Sequence, residues 1–125
     1  MSDVETMLDA YVACAIWSTN DESDASGGQP MDRNYDFSDI HEATMARMRA
    51  DCEAFLNANR EDIGDRFAEA GHDFWLTRNR HGAGFWDGDW SKDAGERLTQ
   101  AAHFKSGVDL YVGDDGMIYA MGCEP

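Results

Sequence analysis

The side chains of this chain best suited to chemistry are His72, His81 and His103, Cys14, Cys52 and Cys123, and Arg78 with Arg80. A zinc site needs Cys or His at short, fixed spacings. The three cysteines lie far apart with no Cys-x-x-Cys, and the histidines are scattered, so no metal is expected. Cys52 falls on the apolar side of a helical stripe, the setting of a core thiol rather than a nucleophile. Gly82-Ala83-Gly84 lacks the further Gly or Lys of a phosphate loop, and no helix is expected to follow it. No catalytic residue and no cofactor is therefore assigned. What remains is a small basic cluster, Arg78, Arg80 and His81, with His72 nearby.

These residues belong to one aromatic-rich stretch, residues 72–87. Phe74 and Leu76 alternate with Trp75 and Thr77, the period-two pattern of a strand. Residues 79–82 supply a turn, and Phe85-Trp86 resumes an aromatic run. The pattern predicts a β-hairpin with a loop of about four residues and the basic cluster at its tip. Trp75, Trp86, Trp90, Phe85 and Tyr111 exceed what one face of a small sheet needs. An open aromatic face would suit a protein partner, with Trp75, Arg78 and Trp86 as anchors.

Three segments carry a resemblance: His72-Asp73-Phe74-Trp75-Leu76-Thr77-Arg78-Asn79, then His81-Gly82-Ala83-Gly84-Phe85-Trp86-Asp87, and finally Leu110-Tyr111-Val112-Gly113-Asp114-Asp115-Gly116. Together they resemble a small, mostly uncharacterised family of bacteriophage and mobile-element proteins. The resemblance covers the C-terminal half well and the N-terminal half loosely. Where the family pattern favours Asn-Gly at the turn, this chain has Asn79-Arg80, and Arg sits poorly at positive φ. The resemblance brings no catalytic residues. It implies a setting, a phage or mobile-element accessory protein. With no membrane span or signal peptide expected, its location would be the cytoplasm of a host cell.

Around that stretch the chain reads helix, loop, helix, hairpin, helix, hairpin. Ser2 and Glu5 make a capping box, and Val4, Met7, Leu8, Tyr11 and Ala15 follow helical spacing towards Trp17. Residues 19–36 read as a mobile acidic loop. Counted from Asp21, Ser26 stands where a calcium loop requires Gly, so no calcium site is expected. A second helix is expected from Ser38 or Asp39, with Phe37 as a staple and Ile40, Met45, Met48, Cys52, Phe55 and Leu56 inside. Residues 60–70 then continue as a further turn or two, ended by Gly71. A helix capped by Ser91 or Asp89 buries Leu98, Ala101, Ala102 and Phe104, and Gly107 ends it. Val108, Leu110 and Val112 alternate with Asp109 and Tyr111 up to a Gly113-Asp114-Asp115-Gly116 turn, and residues 117–121 return. The expected class is α+β: one domain over residues 1–125, with a small antiparallel sheet of two hairpins and about three helices packed on it.

A chain of 125 residues, 42% hydrophobic, is large enough for a core without staples. Its odd cysteine count suits reduced, partly buried thiols. No run is long enough for a membrane span, and Asp3 and Glu5 stand where a signal peptide is basic. The formal net charge is −15. Residues 1–70 hold sixteen Asp and Glu against five Arg, and residues 71–125 hold nine against five Lys and Arg. Such a chain is repelled by nucleic acid and anionic membranes and attracted to basic surfaces, although acidity also serves solubility or high salt. Glu61, Asp65 and Glu69 fall at i, i+4 and i+8 with Asp62 beside them, carboxylates about 5–6 Å apart along a helix, like a phosphate backbone.

With the phage setting, these features lead to an expected function. The chain would be a non-enzymatic inhibitor that occupies a basic nucleic-acid-binding surface of a host protein or ribonucleoprotein, as an anti-CRISPR or other anti-defence protein does. Its expected partner-binding residues are Glu61, Asp62, Asp65, Glu69, Trp75, Arg78 and Trp86. The alternatives are a phage accessory protein with no nucleic-acid competitor, and a small ligand-binding domain or enzyme using His72, Arg78 and His81. Nothing in the sequence sets an oligomeric state.

Overall fold

The apolar residues of the N-terminal segment wind into α1 (Asp3–Ser18). Met7, Leu8, Tyr11, Val12, Cys14, Ala15 and Ile16 are all buried, so the helix is covered over more than the one stripe that the spacing suggested. This computed structural model describes residues 3–21, 29–31, 35–79, 84–85, 90–104 and 107–122. The capping residue Ser2 lies outside them, as does much of the acidic loop. Within the 19–36 region, β1 (Asn20–Asp21) and β2 (Gln29–Pro30) pair as a two-residue antiparallel ladder, and buried Met31 donates its N–H to the Thr19 carbonyl at 2.8 Å.

The second helix starts later than expected. Asp36 and Asp39 form a reciprocal capping box around a short 3-10 turn, Phe37–Asp39, and Ile40 then turns extended. His41 caps α2 (Glu42–Ala58) by accepting the Ala43 N–H on Nδ1 at 3.2 Å. Phe37, expected as a staple, is 43% exposed. Thr44, Met48, Cys52, Phe55 and Leu56 form the buried side of α2.

The segment expected to continue through residues 60–70 breaks at Gly64. There α3 (Arg60–Ile63) ends in a φ of 62°, which only Gly adopts at little cost. The chain restarts as α4 (Phe67–Arg78), and Gly71, expected to end a helix, lies inside this one. Residues 73–78, expected as a strand, are the C-terminal half of α4. Alternation over four residues fits either element, and the local pattern misleads for a physical reason. From Ala70 to Arg78 every residue but His72 is buried, and a helix covered nearly all round has no polar face to set its period.

Ser91 caps α5 (Lys92–Phe104), its Oγ accepting the Ala94 N–H at 3.3 Å. The final hairpin forms as expected: β3 (Val108–Val112) pairs antiparallel with β4 (Ile118–Gly122), Val112 opposite Ile118, and Gly116 takes a φ of 80° in the turn. Asn79, just past α4, accepts the Val108 N–H on Oδ1 at 2.7 Å, tying α4 to β3. Ile40 makes a single parallel bridge to Ile118. The class is α+β, with one hairpin of useful length rather than two, and five α-helices among the described residues rather than about three. None of those helices is long and apolar enough to cross a membrane.

The core is aromatic at its centre. Tyr11, Phe55, Phe74, Trp75 and Phe85 are each 1% exposed or less, and Phe55 stacks on Phe74 at 4.1 Å. Burying each such side chain contributes about 1.5–3 kcal/mol. α1 and α4 meet backbone to backbone at Gly71, where a Cβ would lie 2.1 Å from the Met7 carbonyl oxygen. This predicts an inverted substitution. Gly71→Ala adds about 1 kcal/mol of helix propensity, yet is expected to destabilise the fold by about 1–3 kcal/mol through overpacking. Urea denaturation reads the sign; an unchanged or higher midpoint would mean the two helices separate freely.

Candidate functional site

Two of the expected anchors point inward. Trp75 is buried and donates its indole N–H to Ser18 Oγ at 2.8 Å. Arg78 donates from Nη1 to the Tyr11 hydroxyl and to Asp51 Oδ2, both at 3.0 Å, and its guanidinium lies 5.1 Å from the Phe74 ring centre. The Arg78 side chain is 2% exposed and that of Asp51 25%, so this pair joins the core to the surface. Trp75 and Arg78 thus organise the interior rather than the surface. Trp86, Arg80 and His81 lie outside the described residues.

Burial pushes the Tyr11 hydroxyl far above its ordinary pKa, against the pull of the Arg78 charge, so Tyr11 stays neutral. Burial likewise raises the Cys52 thiol, and pushes Cys14 up to about 12. Both are free, buried thiols, and neither is a thiolate at neutral pH. Cys123 lies outside the described residues.

Of the histidine-based alternative, His72 and Arg78 face opposite ways, and His81 lies outside the described residues. His72 is exposed on α4, with Nδ1 at 3.2 Å from Asp73 Oδ1. Asp73 itself turns inward, where Oδ2 accepts the Trp90 indole N–H at 2.7 Å. His72 is exposed while Arg78 is buried, and His103 sits half-buried on α5. Among the described residues, no group of three or more His, Cys, Asp and Glu side chains gathers as a metal site.

The acids expected to bind a partner are at the surface but not on one helix. Glu61 and Asp62 lie on α3, Asp65 follows Gly64, and Glu69 stands near the start of α4. The i, i+4, i+8 stripe is therefore interrupted by the left-handed residue. Asp62 clamps Arg97 of α5 with two bonds, Nε to Oδ2 at 2.9 Å and Nη2 to Oδ1 at 2.6 Å. Arg66 donates from Nε to Glu69 Oε1 at 3.0 Å, while its guanidinium covers the Trp90 ring at 4.2 Å. The hydrogen bonds from Arg97 and Arg66 hold the Asp62 and Glu69 carboxyls below their usual range. Asp93 and Glu61 also favour the charged form of Arg97 through space, after the Asp62 bonds. Glu61 and Asp65 are exposed and make no ion pair among the described residues.

A further constellation lies at the hairpin end. Tyr111 and Tyr119 stand directly opposite across β3 and β4, with ring centres 5.7 Å apart and planes 23° from parallel. His41 stacks on Tyr119 at 4.8 Å. The Tyr119 hydroxyl donates to Asp115 Oδ2 at 2.5 Å, and the Met117 N–H donates to Asp115 Oδ1 at 3.0 Å. The Tyr119 and Met117 bonds hold the Asp115 carboxyl below the ordinary carboxylate range. The tyrosine pair was within reach of the sequence, since the turn residues fix the register. His41 was not, because a bridge from Ile40, distant in the chain, brings it there.

Comparison with protein-family models, curated proteins and solved structures returns no match to this chain.

Two outcomes follow from this geometry. Arg78→Met leaves the Asp51 carboxylate and Tyr11 without their donor, and is expected to cost about 3 kcal/mol, the lower end for a broken buried pair because Asp51 is partly solvated. A loss under 1 kcal/mol in denaturant melts would show that the pair contributes no more than a surface bridge. The second concerns pH. The folded pKa of Asp115 is depressed, so its hydrogen bonds add stability above the unfolded carboxylate pKa and lose it as pH falls through the folded value. Tyr119→Phe is expected to return Asp115 towards the ordinary range in a carboxyl NMR titration, and an unmoved titration would refute the bond.

Proposed function

We propose that this chain is an acidic, non-enzymatic binding protein that occupies a basic nucleic-acid-binding surface of a host protein or ribonucleoprotein, in the manner of a phage-type anti-defence inhibitor. The observation that carries this reading is the acid surface around α3 and α5. There Glu61, Asp62, Asp65, Asp93 and Glu96 stand against Arg60, Lys92 and Arg97, and Glu61 and Asp65 are exposed while Arg97 is taken up by Asp62. A net charge of −15 extends the same sign over the molecule. Opposite potentials accelerate encounter with a basic partner and compete with phosphate for the same surface. The phage setting rests on the resemblance of residues 72–87 and 110–116 alone.

A small ligand-binding domain is the second reading, favoured by one feature. Phe85, Trp90 and the outer side of α5 bound a cleft of about 540 Å³, and the Thr99 hydroxyl in its wall is buried without a hydrogen-bond partner among the described residues.

The test is capture from host-cell lysate on the immobilised chain, with and without added duplex DNA or RNA. Basic nucleic-acid-binding proteins are expected to be captured and then released by nucleic acid, while the pure chain shifts neither DNA nor RNA in a gel. The double variant Glu61→Lys, Asp65→Lys reverses two exposed charges that make no ion pair among the described residues, and should slow association about tenfold at low salt. Capture indifferent to nucleic acid, or a gel shift by the chain itself, would overturn the proposal.

A further inference from the structure

At the free end of the hairpin three rings stand in a row. His41 stacks on Tyr119 at 4.8 Å, Tyr119 on Tyr111 at 5.7 Å, and the planes differ by only 24° and 23°. The row is held at its inner end by the Ile40–Ile118 bridge and the hydrogen bond from the His41 N–H to the Ile118 carbonyl at 3.0 Å. Its outer member, Tyr111, is 44% exposed. The Cδ2–Cε2 edge of Tyr119 lies close to Gly113, where an added Cβ would come within 2.6 Å of Cε2. Tyr119 is fixed a third time by its hydroxyl bond to Asp115. Tyr119, restrained in these ways, gives the exposed Tyr111 ring an ordered surface to stack on.

The tyrosine pair forms one wall of an open cleft of about 560 Å³, lined by Tyr111, Val112, Gly113, Asp114, Asp115 and Tyr119. No cation stands among these lining residues, and both aspartates are exposed. Asp114 makes no ion pair among the described residues, while Asp115 is oriented by Tyr119 and Met117. A π-face beside two carboxylates attracts a cation. The flatness of the ring selects among cations. A guanidinium is planar, weakly hydrated and able to stack and to bridge a carboxylate with paired N–H donors, whereas an ammonium is compact and strongly hydrated. A nucleobase would also stack, but its phosphates would meet Asp114, Asp115 and a chain of net charge −15.

We infer that this cleft is a receptor for an arginine side chain, with the guanidinium stacked on Tyr111 and bonded to Asp114, and that it takes such an arginine from the partner's surface. The second clause rests on the reading that the partner is basic; the cleft's chemistry does not. Proteins that bind phosphate carry arginines on that surface, so an arginine-selective cleft would add specificity to a charge attraction that is otherwise diffuse.

The experiment is an NMR titration of the full chain with acetylated, amidated Gly-Arg-Gly, and with its Gly-Lys-Gly and Gly-citrulline-Gly counterparts. The arginine peptide should produce saturable shifts at Tyr111, Tyr119 and Asp114, bind about threefold or more tighter than the lysine peptide, and leave citrulline without effect. Tyr111→Thr keeps an exposed strand position β-prone while removing the ring, and Asp114→Asn removes only the charge; each should abolish the selectivity. Equal shifts with citrulline, arginine shifts spread evenly over the acid surface, or unchanged binding by Tyr111→Thr would overturn the inference. Arginine binding here without nucleic-acid competition in lysate sinks the proposed function and leaves the receptor standing. Competition in lysate that survives Tyr111→Thr, with no peptide binding, does the reverse.

Discussion

Contact between the backbones of α1 and α4 at Gly71 sets the geometry of everything around it. A side chain there would collide with the Met7 carbonyl, so glycine lets the two helices approach more closely than any other residue permits. A glycine within a helix costs about 1 kcal/mol relative to Ala. That cost is offset many times over, because the close approach seals Tyr11, Phe74 and Trp75 against one another, with ring centres 5.3 and 5.4 Å apart. α2 then closes the far side through Phe55, and Phe85 and Trp90 extend the aromatic chain towards α5.

A helix buried nearly all round needs something to fix its rotation, since apolar packing alone tolerates alternatives. The buried polar residues of α4 provide it. Asp73 accepts from Trp90, Thr77 Oγ1 accepts the Phe85 N–H at 3.1 Å, and Arg78 reaches Tyr11 and Asp51. Each bond joins α4 to a different part of the chain, so rotating the helix would break several at once and leave polar groups unpaired in the core.

The same residues explain what the sequence disclosed and what it hid. The β3–β4 hairpin was legible because Val108, Leu110 and Val112 alternate and a Gly-Asp-Asp-Gly turn follows. The start of α5 was legible from Ser91. Residues 73–78 were not, because Phe74 and Leu76 alternate with Trp75 and Thr77 as a strand would, while the partners that turn Asp73, Thr77 and Arg78 inward lie elsewhere in the sequence. For that reason Trp75 and Arg78 looked like surface anchors. The acid stripe failed differently: Glu61, Asp65 and Glu69 keep helical spacing, but Gly64 between them takes a left-handed turn, and an isolated Gly after a four-residue segment is itself a stop signal. The arginine that neutralises Asp62 was equally hidden, 35 residues away, whereas Arg66 stands only three residues from Glu69.

The distribution of arginine has a consequence for the molecule as a physical object. Arg49, Arg60, Arg66, Arg78 and Arg97 are each paired with a carboxylate of the same chain, Glu5, Asp3, Glu69, Asp51 and Asp62 respectively. Folding thus gathers these five positive charges into short-range pairs, and at a net charge of −15 the carboxylates in excess repel one another across the surface. Counterions relax that repulsion over distances beyond about 10 Å, while pairs in direct contact are screened much less. Added salt therefore acts on the protein in two opposite senses: it loosens the grip of the acid surface on anything basic, and it tightens the fold that carries the surface.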